Sequence, residues 1–232
     1  MSMPGINVGK TELKEQDMPE KVSVQIYNWG PCVIKLKIKD ELKKMLLEEA
    51  PKGTDYRNKL AGILEHETGY TDEAKNRIIP HLAKCFGLYD QAWEHYTRKK
   101  NKKKPEYILS ALWINHQKKH EFNPPHDHDG ALSFVIYLDI PEKLKKENED
   151  YIGKSAGPGG IQFLYGEGPR DQAVTYMSHF PETGDMFIFP AWLKHWVSPF
   201  KSDCTRISVS GNVHDSAPLN NIVKNDTEEK QV

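Results

Sequence analysis

Two histidines one residue apart, His126 and His128, stand in the string Asn123-Pro124-Pro125-His126-Asp127-His128-Asp129-Gly130. In an extended segment, residues i and i+2 share a face. Both imidazoles can then reach one metal ion at about 2.1 Å. Pro124 and Pro125 stiffen the approach and lower the entropy cost of holding the ligands. A chelate from one strand end needs a third ligand from elsewhere, and His195 is the candidate. It follows a Gly184-Asp185 turn, the apolar run Met186-Phe187-Ile188-Phe189 and a Pro190-Ala191 break, at the start of the next strand.

Downstream, His195–Pro199 and Cys204–Val213 are β-prone, and Phe200–Asp203 can turn between them. A hairpin centred near Phe200-Lys201 sets His195 roughly opposite Arg206, with Cβ atoms about 5 Å apart. Arg206 and Ser208 share a face by alternation. A buried arginine needs a carboxylate, and a ligand carboxylate can fill that role by bidentate pairing. Taken singly, an HxH on a turn, an arginine on a strand and a histidine after Pro-Ala-Trp are ordinary. Their ordered succession is much rarer by chance.

The elements that must carry these groups follow from texture. Residues 1–20 are polar and aperiodic, a loose N-terminal arm. Val22–Tyr27 and Val33–Ile38 are β-prone around an Asn28-Trp29-Gly30-Pro31 turn. Asp40 is expected to cap a helix over Glu41–Glu49, and Thr71 to open a longer one interrupted at Pro80. Residues 56–66 are ambiguous. Residues 21–105 therefore read as a helical support region. From residue 107 the texture changes to short β-runs at Tyr107–Ile114, Ala131–Ile140, Gly160–Tyr165, Asp185–Phe189, His195–Pro199 and Thr205–Val213. Many short strands with turn signals predict a sandwich or jelly roll over 106–213. Residues 142–158 look like a polar surface insertion, and 214–232 a polar tail. Gly157–Gly160 lacks the ending of a phosphate loop.

The chain has 232 residues, 32 Lys+Arg against 33 Asp+Glu, and a formal net charge of −1. That balance argues against a protein that coats a polyanion. The basic run Arg98–Lys104 has no aromatic platform beside it, so it reads as a solvated connection and no nucleic-acid contact is expected. No stretch approaches about 18 consecutive apolar residues, so no membrane span is expected. The first residues lack an apolar secretory region. The three cysteines, Cys32, Cys85 and Cys204, are odd in number and widely spaced. A disulfide framework is therefore not expected and a cytoplasmic location is.

The order of motifs resembles the catalytic core of Fe(II)/2-oxoglutarate-dependent oxygenases of the prolyl-hydroxylase-like branch, closest to the oxygenases of marine phages and bacteria. Three segments carry the likeness: Glu121 to Leu138, Phe189-Pro190-Ala191 to His195, and Arg206-Ile207-Ser208-Val209-Ser210-Gly211-Asn212. It spans about 110–213. It implies a mostly β chain with N-terminal helices, the strands forming a double-stranded β-helix (a cupin-like jelly roll) supported by helices. It implies Fe(II), 2-oxoglutarate as cosubstrate and O2.

Residue by residue, the likeness puts the first metal histidine on His126, the distal one on His195, and the far carboxylate of 2-oxoglutarate on Arg206, Ser208 and Tyr137. Asn115 is a further candidate for the near carboxylate. The position normally held by an aspartate falls on His128. The metal set is therefore read as His126, His128 and His195, with Asp127 or Asp129 as the alternative if the turn is bulged. Trp192, Trp196 and Phe134 are candidates for the cavity wall.

The implied activity is hydroxylation of a C–H bond, coupled to oxidative decarboxylation of 2-oxoglutarate to succinate. A protein or peptide side chain ranks beside a small molecule as substrate. The implied setting is a bacterium or a phage-infected cell. Two other functions fit the same residues: a three-histidine cupin dioxygenase without 2-oxoglutarate, and a non-catalytic jelly-roll binding module.

Overall fold

The computed structural model describes residues 30–100, 105–167 and 175–216. The loose arm, the Val22–Tyr27 run, residues 101–104 of the basic run and most of the polar tail lie outside the described residues.

Among the described residues, eleven strands and three α-helices follow in the order β1 (Ile34–Lys37), α1 (Asp40–Glu49), β2 (Thr54–Asp55), β3 (Glu67–Gly69), α2 (Asp72–Thr97), β4 (Tyr107–Gln117), β5 (Asn123–His126), β6 (Leu132–Asp139), α3 (Glu142–Glu149), β7 (Ile161–Leu164), β8 (Tyr176–His179), β9 (Asp185–Pro190), β10 (Lys194–Val197) and β11 (Arg206–Asp215). They form a seven-stranded sheet ordered β1-β9-β6-β11-β4-β3-β2 and a four-stranded sheet ordered β5-β10-β7-β8. All pairings are antiparallel. Strands β4 to β11 wind through both sheets in the topology of a double-stranded β-helix, as expected.

The support region is less purely helical than its composition suggested. It also contributes β1 to one edge of the large sheet and β3 and β2 to the other. No residue side chain caps α1 at Lys39, and Asp40 is its first helical residue. Thr71 does cap α2, its hydroxyl accepting from the Ala74 amide at 3.2 Å. That helix continues past Pro80. An interior proline costs about 3 kcal/mol. Burial of Ile78, Leu82 and Phe86 against the sheet stabilises by about 2 kcal/mol each, so packing outweighs the lost hydrogen bond.

Each face of the large sheet has its own task. Leu112, Ile114, Ile136, Ile188 and Val209 meet the helices. Val135, Tyr137, Phe187 and Phe189 point toward the small sheet, where Phe163, Leu193 and Val197 join them. Strand β6 is buried at every position but its last, because both faces are covered.

Residues 142–158 form more than a surface insertion. Helix α3 buries Leu144, and Glu147 accepts from the amides of Lys201 and Ser202 at 2.8 and 2.7 Å. No described helix is long and apolar enough to cross a membrane.

Candidate metal centre

Strand β5 reads Asn-Pro-Pro-His, a sequence a central strand would not tolerate. It is an edge strand of the small sheet, where a missing amide costs no ladder bond. It pairs with β10 so that His126 faces His195 directly. Beyond it the backbone is held by the His128 amide donating to the Ala191 carbonyl at 3.0 Å. Alternation then does the sorting. His126 and His128 turn inward, and Asp127 and Asp129 are exposed.

The three imidazoles converge, each offering a ring nitrogen, with these atoms all within 4.8 Å of one another. Ring centroids lie 4.4 Å apart for His126–His195, 4.9 Å for His126–His128 and 5.2 Å for His128–His195. Nδ1 of His126 bonds the Pro124 carbonyl at 2.6 Å, and Nδ1 of His195 bonds the Leu193 carbonyl at 2.9 Å. A carbonyl only accepts, so both Nδ1 atoms carry the proton and each Nε2 presents a lone pair. Burial favours the uncharged ring. It lowers the His126 pKa, and pushes those of His128 and His195 to about 4 and about 3, the neighbouring His126 adding to both. Neutral rings with oriented Nε2 atoms suit a divalent transition ion.

The hairpin expected between β10 and β11 does not form. His195 pairs with His126 and Phe163 in the small sheet, and Arg206 pairs with Gln117 of β4 in the large one. The two residues still meet one cavity, from opposite walls. The Phe200–Asp203 turn crosses between the sheets instead of closing a hairpin.

Arg206 is 1% exposed. Its Nη1 donates to the Gly159 carbonyl at 3.1 Å, its Nε has no partner, and no carboxylate pairs with it among the described residues. The guanidinium lies 5.3 Å from the centre of the Tyr137 ring. Tyr137 is wholly buried and its hydroxyl is also unpartnered. Burial raises its pKa to about 12, so it stays a neutral donor. An unpaired buried guanidinium beside an unpaired phenol is costly alone. Two donors so placed fit one arm of a dicarboxylate.

Across the large sheet, Glu67, Asn115, Ser208 and Tyr137 stand in one register row. Asn115 and Ser208 line the cavity with Arg206 and the three histidines, whereas Tyr137 lies behind the lining. Of the expected walls, Phe134 is present. Trp192 is 54% exposed and packs on Tyr165, and Trp196 is not among the lining residues; Trp113 takes that place. Sequence reasoning missed Glu67 and Gly159. The first sits on a three-residue strand with no periodic signal, and the second acts through its backbone.

Residues 111–212 match the family described as "Putative 2OG-Fe(II) oxygenase". No curated protein matches. Among solved structures, a 2OG-Fe(II) oxygenase-family oxidoreductase from Burkholderia pseudomallei is 12% identical, covers 78% of this chain and 84% of its own, and gives a TM-score of 0.49. The viral collagen prolyl hydroxylase of Paramecium bursaria Chlorella virus-1, solved with 2OG, is 13% identical over 78% of this chain and 94% of its own, TM-score 0.46. A prolyl hydroxylase from Trichoplax adhaerens, solved with a hypoxia-inducible-factor peptide, is 12% identical over 81% and 84%, TM-score 0.48.

Proposed function

We propose, from the match of residues 111–212 to the 2OG-Fe(II) oxygenase family, that His126, His128 and His195 hold Fe(II) while Arg206, with Tyr137 and Ser208, holds 2-oxoglutarate. The observation that carries this assignment is the pairing of three converging neutral imidazoles with a buried, carboxylate-free guanidinium in one cavity. Iron so bound would supply oxidative decarboxylation of the cosubstrate, O2 activation and hydroxylation of a C–H bond.

The chain's own share is orientation and exclusion. The carbonyls of Pro124 and Leu193 set the tautomers of His126 and His195. Arg206 and the Tyr137 hydroxyl present donors to the distal carboxylate, and the Gly159 carbonyl fixes the guanidinium plane. Phe134, Phe189, Ile161 and Val197 give the cavity apolar walls, which keep stray water from reacting groups. Helices α1 and α2 serve as support for the 106–213 core. The prolyl hydroxylases among the similar structures make a peptide side chain one substrate candidate, beside a small metabolite. A reducing cytoplasm suits three free cysteines.

His128 in the usual carboxylate position favours one second reading, a three-histidine dioxygenase that does not use 2-oxoglutarate. Anaerobic reconstitution with Fe(II) and 2-oxoglutarate should give a visible charge-transfer band, and admission of O2 should yield succinate. O2 consumption without succinate supports the second reading. Absence of band, succinate and O2 consumption overturns both.

A further inference from the structure

The cavity has two chemically distinct ends. Arg206 Nε, an unpartnered donor of its lining, belongs to the anion end just described, with the unpartnered Tyr137 hydroxyl behind it. Its other unpartnered buried atoms are acceptors. Both carboxylate oxygens of Glu67 and the Oδ1 of Asn115 lack any hydrogen-bond partner, and both residues line the cavity. Glu67 on β3 faces Asn115 on β4 in direct register, so the two side chains are cross-strand neighbours near one end of the large sheet.

Glu67 is only 2% exposed. A carboxylate there is costly unless a cation or several donors meet it. None of the described residues supplies them. Arg57, whose charge reaches Glu67, is held by Asp55 through bonds of 2.6 and 2.9 Å. The segment around Gly62 presses on the acid so closely that a Cβ at Gly62 would lie 2.8 Å from Glu67 Oε1. Trp113, two positions from Asn115 on the same face, puts an indole into the same cavity. A carboxylate, an amide oxygen and an indole ring are the parts of a site for a cation with several N–H donors.

We propose that the primary substrate carries a protonated amine, and that Glu67 and Asn115 receive it beside Trp113. The inference rests on the oxygenase reading, since it assigns the anion end to the cosubstrate and the acceptor end to the molecule to be oxidised. Glu67 is then a specificity-determining residue. Burial raises its carboxyl pKa to about 7, the nearby Glu121 charge adding to this, and an arriving ammonium would draw it back to the charged form.

The test uses the full chain loaded anaerobically with Fe(II) and 2-oxoglutarate. Butylammonium and its neutral isostere butanol are titrated by tryptophan fluorescence. The ammonium should bind roughly tenfold to a hundredfold more tightly. Glu67→Gln should abolish that preference, and Glu67→Asp should keep part of it. A protein that gives the charge-transfer band but binds both probes equally overturns the proposal and leaves the oxygenase reading intact. Preference retained in Glu67→Gln overturns it as well. Absence of the band in the wild type overturns the oxygenase reading itself, and with it this assignment.

Discussion

His126 and His195 are 69 positions apart in the chain yet are direct cross-strand partners in the β5–β10 ladder, with ring centroids 4.4 Å apart. Each has its Nδ1 tied to a carbonyl two residues upstream. The pair is thus a preorganised half of a chelate. Replacing either ring by alanine should lower Fe(II) affinity by more than about a hundredfold, since even losing a supporting bond costs roughly 10–100-fold. Calorimetric titration with metal checks this.

The alternation that turns His128 inward turns its neighbours outward. Asp127→Ala and Asp129→Ala should leave metal affinity within about threefold, because an exposed carboxylate beyond the cluster adds only screened attraction. His128→Ala should weaken it strongly, and His128→Asp should retain binding, because a carboxylate also suits the site. A larger loss in Asp129→Ala than in His128→Ala would return the carboxylate to the metal.

Arg206 presents a fork that lysine lacks. Arg206→Lys should raise the KM for 2-oxoglutarate by roughly 10–100-fold, the worth of one charge-assisted bond, with a smaller change in kcat. Steady-state succinate formation at varied cosubstrate separates the two. An unchanged KM would remove Arg206 from the cosubstrate site.

Gly159 adopts φ +70, and a Cβ there would lie 2.9 Å from Leu144. Its carbonyl accepts from Arg206. Gly159→Ala should therefore cost about 1–3 kcal/mol in stability and also raise the KM for 2-oxoglutarate. A variant that loses stability with KM unchanged would show that the carbonyl does not position the guanidinium.

Glu67 gives a pH signature in the metal-free protein. Its folded pKa, about 7, lies above the unfolded value of about 4.3. Between these values the folded state binds more protons, so stability falls as pH rises through the window and levels off above it. The loss is on the order of 4 kcal/mol. Glu67→Gln should gain in Tm over wild type at pH 8 and lose most of that advantage at pH 4.5. An equal Tm difference at both pH values would count against a buried, unpaired acid.

Much of the chemistry was legible in the sequence because it depends on short-range periodicity. An i, i+2 spacing in extended chain needs only the strand repeat to place His126 and His128 together. Alternation likewise sorts Asp127 from His128, and Arg206 with Ser208. Turn residues and apolar runs located seven of the eleven described strands (β1, β4, β6, β7, β9, β10 and β11) within a few positions, while β5 was hidden by its two prolines and β2, β3 and β8 by their brevity. Proline could not stop α2, because burial of its apolar face against the sheet outweighs one missing bond.

Other facts came only from tertiary structure. Whether β10 pairs with β11 or with β5 is a matter of which sheet each strand enters, and local propensity is the same either way. The small sheet captured β10, so His195 meets His126, and Arg206 approaches from the facing wall. Glu67 reaches the cavity by the long-range pairing of β3 to β4, and Gly159 reaches Arg206 through a backbone carbonyl that no side-chain pattern encodes. Residue types and spacing determined which groups could bind metal and diacid; the long-range strand pairing decided which of them face one another, because hydrogen-bond register between distant segments is not written in any local stretch of chain.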